Sequence, residues 1–92
     1  MISKTTIDTV FETARVEEVI GDFVQLKRAG SNFKGLSPFS EERSPSFMVS
    51  PAKGIWKDFS SGKGGNSVAF LMEHEKFTYP EAIRYLAKKY NI

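Results

Sequence analysis

Few side chains in this 92-residue chain could do chemistry, and most of them fail on position. The only histidine is His74, set between Glu73 and Glu75 in a stretch with helical character. A Ser-His-Asp nucleophile system needs an imidazole beside a serine, and nothing in the sequence links His74 to one, so it reads as a solvated helix residue. Glu41 and Glu42 are paired carboxylates only in the sense of adjacency, since neighbouring residues in a loop seldom converge on one substrate atom. Gly62-Lys63-Gly64-Gly65-Asn66-Ser67 is more suggestive. It runs into a helix N-terminus, where free N–H groups and the helix dipole favour anions. It lacks the residue order of a nucleotide-hydrolysing phosphate loop, so a backbone phosphate suits it better than a nucleoside triphosphate.

Charge points the same way. Residues 1–22 carry net −3, residues 23–66 carry net +4 from seven basic and three acidic side chains, and residues 67–92 carry net +1. A positive middle is the pattern of a chain that meets a polyanion. Its candidates for phosphate contact are Lys27, Arg28, Lys34, Lys57 and Lys63.

Several elements must position these residues. Ile7, Val10, Phe11 and Ala14 recur at helical spacing, and Val16, Val19, Ile20 and Phe23 repeat the pattern, predicting two short helices that stop near Gly21-Asp22. Val24 to Arg28 alternates apolar and polar like a half-buried strand, Gly30-Ser31-Asn32 is a turn, and Phe33 to Leu36 a second short strand. Ser37 to Pro45 is an irregular loop. Ser46–Ser50 and Ile55–Phe59 form a hairpin around the turn Pro51-Ala52-Lys53-Gly54. Along Ile55–Phe59, Trp56 and Asp58 share one face while Ile55, Lys57 and Phe59 share the other. Ser60 to Gly65 is a glycine-rich loop. Asn66 caps a helix beginning at Ser67, and Thr78-Tyr79-Pro80-Glu81 is a capping box with proline just inside the last helix.

A chain this short sits near the lower end of self-sufficient folding, where disulfides or a metal commonly help. With no cysteine in the sequence, disulfides are excluded and an ordinary structural zinc site is not expected. Stability must come from packing, which 40% hydrophobic residues and eight phenylalanines permit. No secretory signal or bilayer-length apolar run is visible, so a cytoplasmic protein is expected.

The stretch from Gly35 to Pro51, with Pro38-Phe39 and Pro45-Ser46-Phe47, followed by Trp56-Lys57-Asp58-Phe59-Ser60-Ser61-Gly62-Lys63-Gly64-Gly65-Asn66, resembles the N-terminal zinc-ribbon domain of bacterial DnaG-type primases. The resemblance extends upstream through Leu26-Lys27-Arg28 and downstream through Phe70-Leu71-Met72-Glu73 and Tyr79 to Ala87, covering nearly the whole chain. It departs at one place. Where the family sets its metal ligands, a histidine and three cysteines, this chain has Ser37, Ser40, Asp58 and Ser61. Neutral hydroxyls are poor zinc ligands and a lone aspartate cannot hold the ion. The expectation is therefore a zinc-free frame. Packing among Phe39, Phe47, Trp56 and Phe59, with serine hydrogen bonds at the old ligand positions, would replace the metal.

The resemblance implies an α+β domain over 1–92: a helical lead-in (1–23), a zinc-ribbon-like antiparallel sheet of three or four strands without metal (24–65), and two C-terminal helices (66–92). It implies single-stranded DNA template binding and initiation-site selection within a primase. Primer synthesis itself would belong to a separate catalytic domain, and this piece would have no catalytic residues or cofactor of its own. Expected partners are the template, that catalytic domain and the replicative helicase. Lys27, Arg28, Lys34, Lys57, Lys63 and Trp56 are the expected DNA-binding residues, with Trp56 serving either as core or as an exposed base-stacking platform. The alternatives are a decayed ribbon that docks on the primase core or the helicase without touching DNA, and a small mobile-element protein.

Overall fold

Local signals set most of the boundaries in the computed structural model, which describes residues 2–39 and 45–92. Helix α1 (Lys4–Thr13) starts at Ser3, whose hydroxyl accepts from the Thr6 N–H at 3.1 Å. Helix α2 (Val16–Gly21) follows after two residues. Helix α3 (Ser67–His74) opens on Asn66, whose side chain accepts from the Ala69 N–H at 2.9 Å. Helix α4 (Tyr79–Lys89) carries the complete reciprocal box: Thr78 Oγ1 accepts from the Glu81 N–H, and Glu81 Oε1 accepts from the Thr78 N–H at 2.7 Å. Each cap gives a partner to N–H groups that the helix itself cannot satisfy.

Between the helix pairs lies an antiparallel meander, β1 (Lys27–Ala29), β2 (Asn32–Gly35), β3 (Phe47–Ser50), β4 (Ile55–Asp58) and β5 (Gly64–Gly65), with spatial order equal to chain order. Gly30 takes φ 66° in the two-residue loop between β1 and β2, and Gly54 takes φ 67° at the end of the β3–β4 turn. Both are conformations that residues with a Cβ adopt at a cost.

The α+β outline holds; strand ends shift by a residue at Asn32, Ser46 and Phe59, and other differences have a clear physical cause. The first strand begins at Lys27 rather than Val24, because the Phe23 and Val24 N–H groups both donate to the Ile20 carbonyl at 2.9 Å and finish α2 instead of joining the ladder. Leu36 likewise falls outside β2. The glycine-rich loop contributes a fifth strand: Gly65 and Gly64 pair with Trp56 and Lys57. Their missing side chains allow this, since a Cβ on Gly65 would stand 2.6 Å from Ala69 Cβ, and one on Gly64 would stand 3.0 Å from the Trp56 carbonyl oxygen.

The core has two parts joined by the middle helices. Val16 and Ile20 of α2 and Phe70 of α3 face Phe47, Val49 and Trp56 of the sheet. Val19 of α2 and Val68 and Leu71 of α3 pack instead with Val10, Ala82, Ile83 and Leu86 of the outer helices. Phe23 touches both groups. His74 is not a solvated helix histidine. Its ring is half-buried and stacks on Phe70 at 5.1 Å and 13°, with Phe23 at 5.6 Å. The apolar face of α3 extends to this residue because the aromatic group beneath is wide enough to cover it.

Lys76, just past α3, sits at φ 60°. A left-handed conformation is strained for a residue with a Cβ, and glycine is the usual occupant after a helix. Lys76→Gly should therefore stabilise the chain by about 0.5–1 kcal/mol, the released strain exceeding glycine's added chain entropy. Thermal unfolding followed by circular dichroism should show a rise of roughly 2–8 °C; a lower midpoint would show that Lys76 is held by something other than backbone geometry.

Candidate nucleic-acid interface and the hydroxyl–carboxylate centre

Strand alternation sends the side chains of β4 to opposite sides of the sheet. Trp56 and Asp58 go inward and are 1% and 0% exposed. Trp56 is thus core and not a base-stacking platform. Its ring lies 5.4 Å from Phe39 and 5.6 Å from Phe47, edge-on to Phe70 at 5.7 Å, and its indole N–H donates to the Asn66 carbonyl at 2.8 Å. Phe59, expected to share in packing, points the other way and is 67% exposed.

Three of the four positions that resemble ligand sites converge; Ser40 lies outside the described residues. The buried Asp58 carboxylate is their hub. Its Oδ2 accepts from Ser37 Oγ at 2.7 Å and from Ser61 Oγ at 2.6 Å. Its Oδ1 accepts from Ser60 Oγ at 2.9 Å and from the Ser60 N–H at 3.3 Å. Burial alone would push the Asp58 pKa up, but hydrogen bonds from Ser61, Ser37 and Ser60 outweigh it and hold the group below its ordinary 3.8. Ser60 is the donor that motif comparison misses. Asp58-Phe59-Ser60 does carry the signal, because an aspartate commonly bonds the backbone two residues on in a turn.

These residues do not suit zinc. The ion needs its ligand oxygens at about 2.0–2.2 Å and prefers thiolate and imidazole, whereas here the hydroxyls approach the carboxylate at hydrogen-bonding distance with their protons aimed at it. The centre is an anion ringed by proton donors. Among the described residues no group of three or more His, Cys, Asp or Glu side chains is placed to hold a metal.

The outward face carries the basic residues. The register places Lys27 opposite Lys34, Lys34 opposite Met48, Met48 opposite Lys57, and Lys57 opposite Gly64, so one row crosses all five strands. Lys27, Lys34 and Lys57 are exposed, and among the described residues none of the three has a carboxylate partner. The Lys57 ammonium donates to the Gly62 carbonyl at 3.1 Å. Ile55 and Phe59, both exposed, flank Lys57 on the same face.

Two expected members stand apart. Arg28 belongs to the neighbouring row, opposite Phe33, with its guanidinium 5.7 Å from that ring's centre and its Nε donating to the Gly30 carbonyl. Lys63 pairs with Glu73 at 3.1 Å, and the glycines after it are used in close strand packing. Sequence reasoning passed over Phe59 as the exposed aromatic, although alternation already grouped it with Lys57.

Known proteins share this sequence and fold. A family model described as the CHC2 zinc finger of DnaG primases matches residues 2–92. A DNA primase of Listeria monocytogenes is 46% identical over 86 residues, 94% of this chain and 14% of that protein. A DNA primase of Helicobacter pylori is 42% identical over all 92 residues, 16% of its length. The chain thus spans roughly a seventh of these curated relatives. A crystal structure of the Aquifex aeolicus primase, zinc-binding and RNA polymerase domains, superposes with a TM-score of 0.88 at 37% identity, covering 99% of this chain and 22% of that one.

Asp58→Asn tests the centre. It keeps the shape but removes the charge and turns an N–H₂ toward hydroxyl donors, so urea unfolding at neutral pH should show a loss of about 1.5–3 kcal/mol, the worth of hydrogen bonds to a charged group. Because the folded pKa is lowered below 3.8, the carboxylate's contribution is present above that pH and is lost as pH falls through the folded value. The gap between wild type and Asp58→Asn should therefore close in acid. A gap that stays constant with pH would mean that shape, not charge, holds the centre.

Proposed function

The chain belongs to the CHC2 zinc-finger family of DnaG-type primases, and from that premise we propose that it binds single-stranded template DNA through the outer face of its sheet. In this reading it serves as the N-terminal template-binding and initiation-site-selecting domain of a primase. The observation that carries the reading is the row Lys27–Lys34–Lys57. Like charges opposite each other on neighbouring strands weaken a sheet, and Lys27 and Lys34 are such a pair. A row of ammonium groups with no carboxylate partner among the described residues costs folding stability, and makes physical sense when a polyanion lies along it. Phe59, exposed beside Lys57, supplies an aromatic face on which a base of any identity can stack.

The catalytic carboxylates of primer synthesis would lie in a further domain, in keeping with the small fraction of each relative that this chain covers. That domain, the template and the replicative helicase are the partners proposed. The same reading makes the domain independent of zinc, the Asp58 centre standing where the family holds its metal. No helix among the described residues is long and apolar enough to cross a membrane.

Three phosphate contacts on a single strand predict that log affinity falls with log salt at a slope of about −2, and Lys57→Ala should flatten it by about 0.7 while weakening all sequences alike. Phe59→Ala should cost about 1–3 kcal/mol of binding without lowering the melting temperature. Fluorescence anisotropy with oligo-dT and mixed-sequence strands across a salt series measures the binding, and thermal unfolding by circular dichroism the melting temperature. Binding no tighter at low salt than at high salt would overturn the interface and favour a protein-docking role for the domain.

Zinc independence is tested separately. The melting temperature should be the same with and without EDTA, and the purified protein should carry no stoichiometric zinc by elemental analysis. Unfolding on chelation would sink it.

A further inference from the structure

At the open end of the β1–β2 hairpin a groove of about 550 Å³ lies against the lysine row. Gly35 creates it. A Cβ there would stand 2.7 Å from the Gln25 carbonyl oxygen, so only a residue without a side chain lets the 23–25 segment cross directly over the end of β2. The crossing leaves a trough lined by the apolar Val24, Leu36 and Pro38, with Gln25, Lys27 and Lys34 also on its walls. Leu36 is half exposed at 50% and Gln25 is exposed. Burying a leucine would favour folding, yet this one is left open beside two cations.

We propose that this groove is a base-reading pocket: it takes one unstacked base of the bound single strand, with Gln25 reading its edge. The inference rests on the sheet face being the strand-binding surface, and it names where sequence preference would arise. The volume falls within the roughly 300–1,000 Å³ of pockets that enclose small ligands. Its chemistry matches a nucleotide in parts, the apolar lining meeting the ring's faces while Lys27 and Lys34 hold the phosphates on either side. Sequence-specific recognition of single strands works by splaying bases out and bonding their edges. A glutamine amide carries a donor and an acceptor side by side and pairs bidentately with adenine, so adenine is the base expected in the pocket. The lysine row, in contrast, meets only phosphates and cannot tell sequences apart.

The test compares four short oligo-dT strands, one unsubstituted and three carrying a single central dA, dC or dG, titrated against the 92-residue chain, Gln25→Ala and Leu36→Ala, with melting temperatures measured alongside. The wild type should favour the dA strand over the others by about fivefold or more, the range a bidentate contact supplies. Gln25→Ala should abolish that preference while leaving the salt slope unchanged. Leu36→Ala should weaken dA binding more than dT binding at an unchanged melting temperature. Equal binding of all four strands by the wild type, or a preference that survives Gln25→Ala, would overturn the pocket and leave the lysine row standing. Absence of any salt-dependent binding would instead overturn the strand-binding face, and the pocket with it.

Discussion

A single buried carboxylate organises the sheet end of this molecule. Asp58 ties the segment after β2, through Ser37, to the end of β4 and to the turn at Ser60 and Ser61 that leads into β5. An unpaired charge in the interior is costly unless hydrogen bonds replace its lost water, and here three hydroxyls and one backbone N–H do so. A metal site gathers electron-pair donors around a cation; this centre gathers proton donors around an anion. The two are opposite in polarity and alike in topology, since each links segments distant in sequence at one buried point. A buried carboxylate with its donors can thus link separated segments at one point, as a metal can.

The carboxylate also sets what the other face can present. Because side chains alternate, holding Asp58 inward puts Trp56 inward and Lys57 and Phe59 outward. A slip of one residue would bury Lys57 and Phe59 and expose the carboxylate and the indole, so the register that closes the centre is also the register that builds the basic row. Trp56 reinforces it. Its contacts with Phe39, Phe47 and Phe70 bury a large apolar area, and its N–H reaches the Asn66 carbonyl at the start of α3. The lysine row and the core are thus two sides of one strand.

Helices α2 and α3 carry that order to the rest of the chain by presenting one side to the sheet and the other to α1 and α4. Polar ties close the far end. The Tyr90 hydroxyl donates to Glu18 Oε1 at 2.8 Å and accepts from the Arg15 N–H at 3.1 Å, while Lys89 pairs with Asp22. The C-terminal helix is thereby held to the second helix, across most of the chain's length in sequence.

Much of this was legible from residues alone, where the deciding physics is local. Capping at Asn66 and Thr78, the turn at Pro51–Gly54, the helical spacing of the termini and the two-faced β4 all depend on residues a few positions apart. The family resemblance likewise rests on motifs in linear order, which single out Ser37, Ser40, Asp58 and Ser61. Tertiary structure decided the rest. Whether Trp56 faced core or solvent depended on which side of the sheet the helices cover. The pairing of Lys27 with Lys34 and the separation of Arg28 and Lys63 from Lys57 depended on strand register and on Phe33 and Glu73 as neighbours. The fifth strand and the groove over Gly35 depended on backbones approaching within contact distance at glycines, where a missing side chain permits the approach but does not specify the partner. Spacing along a chain determines which residues share a face; only packing determines what that face meets.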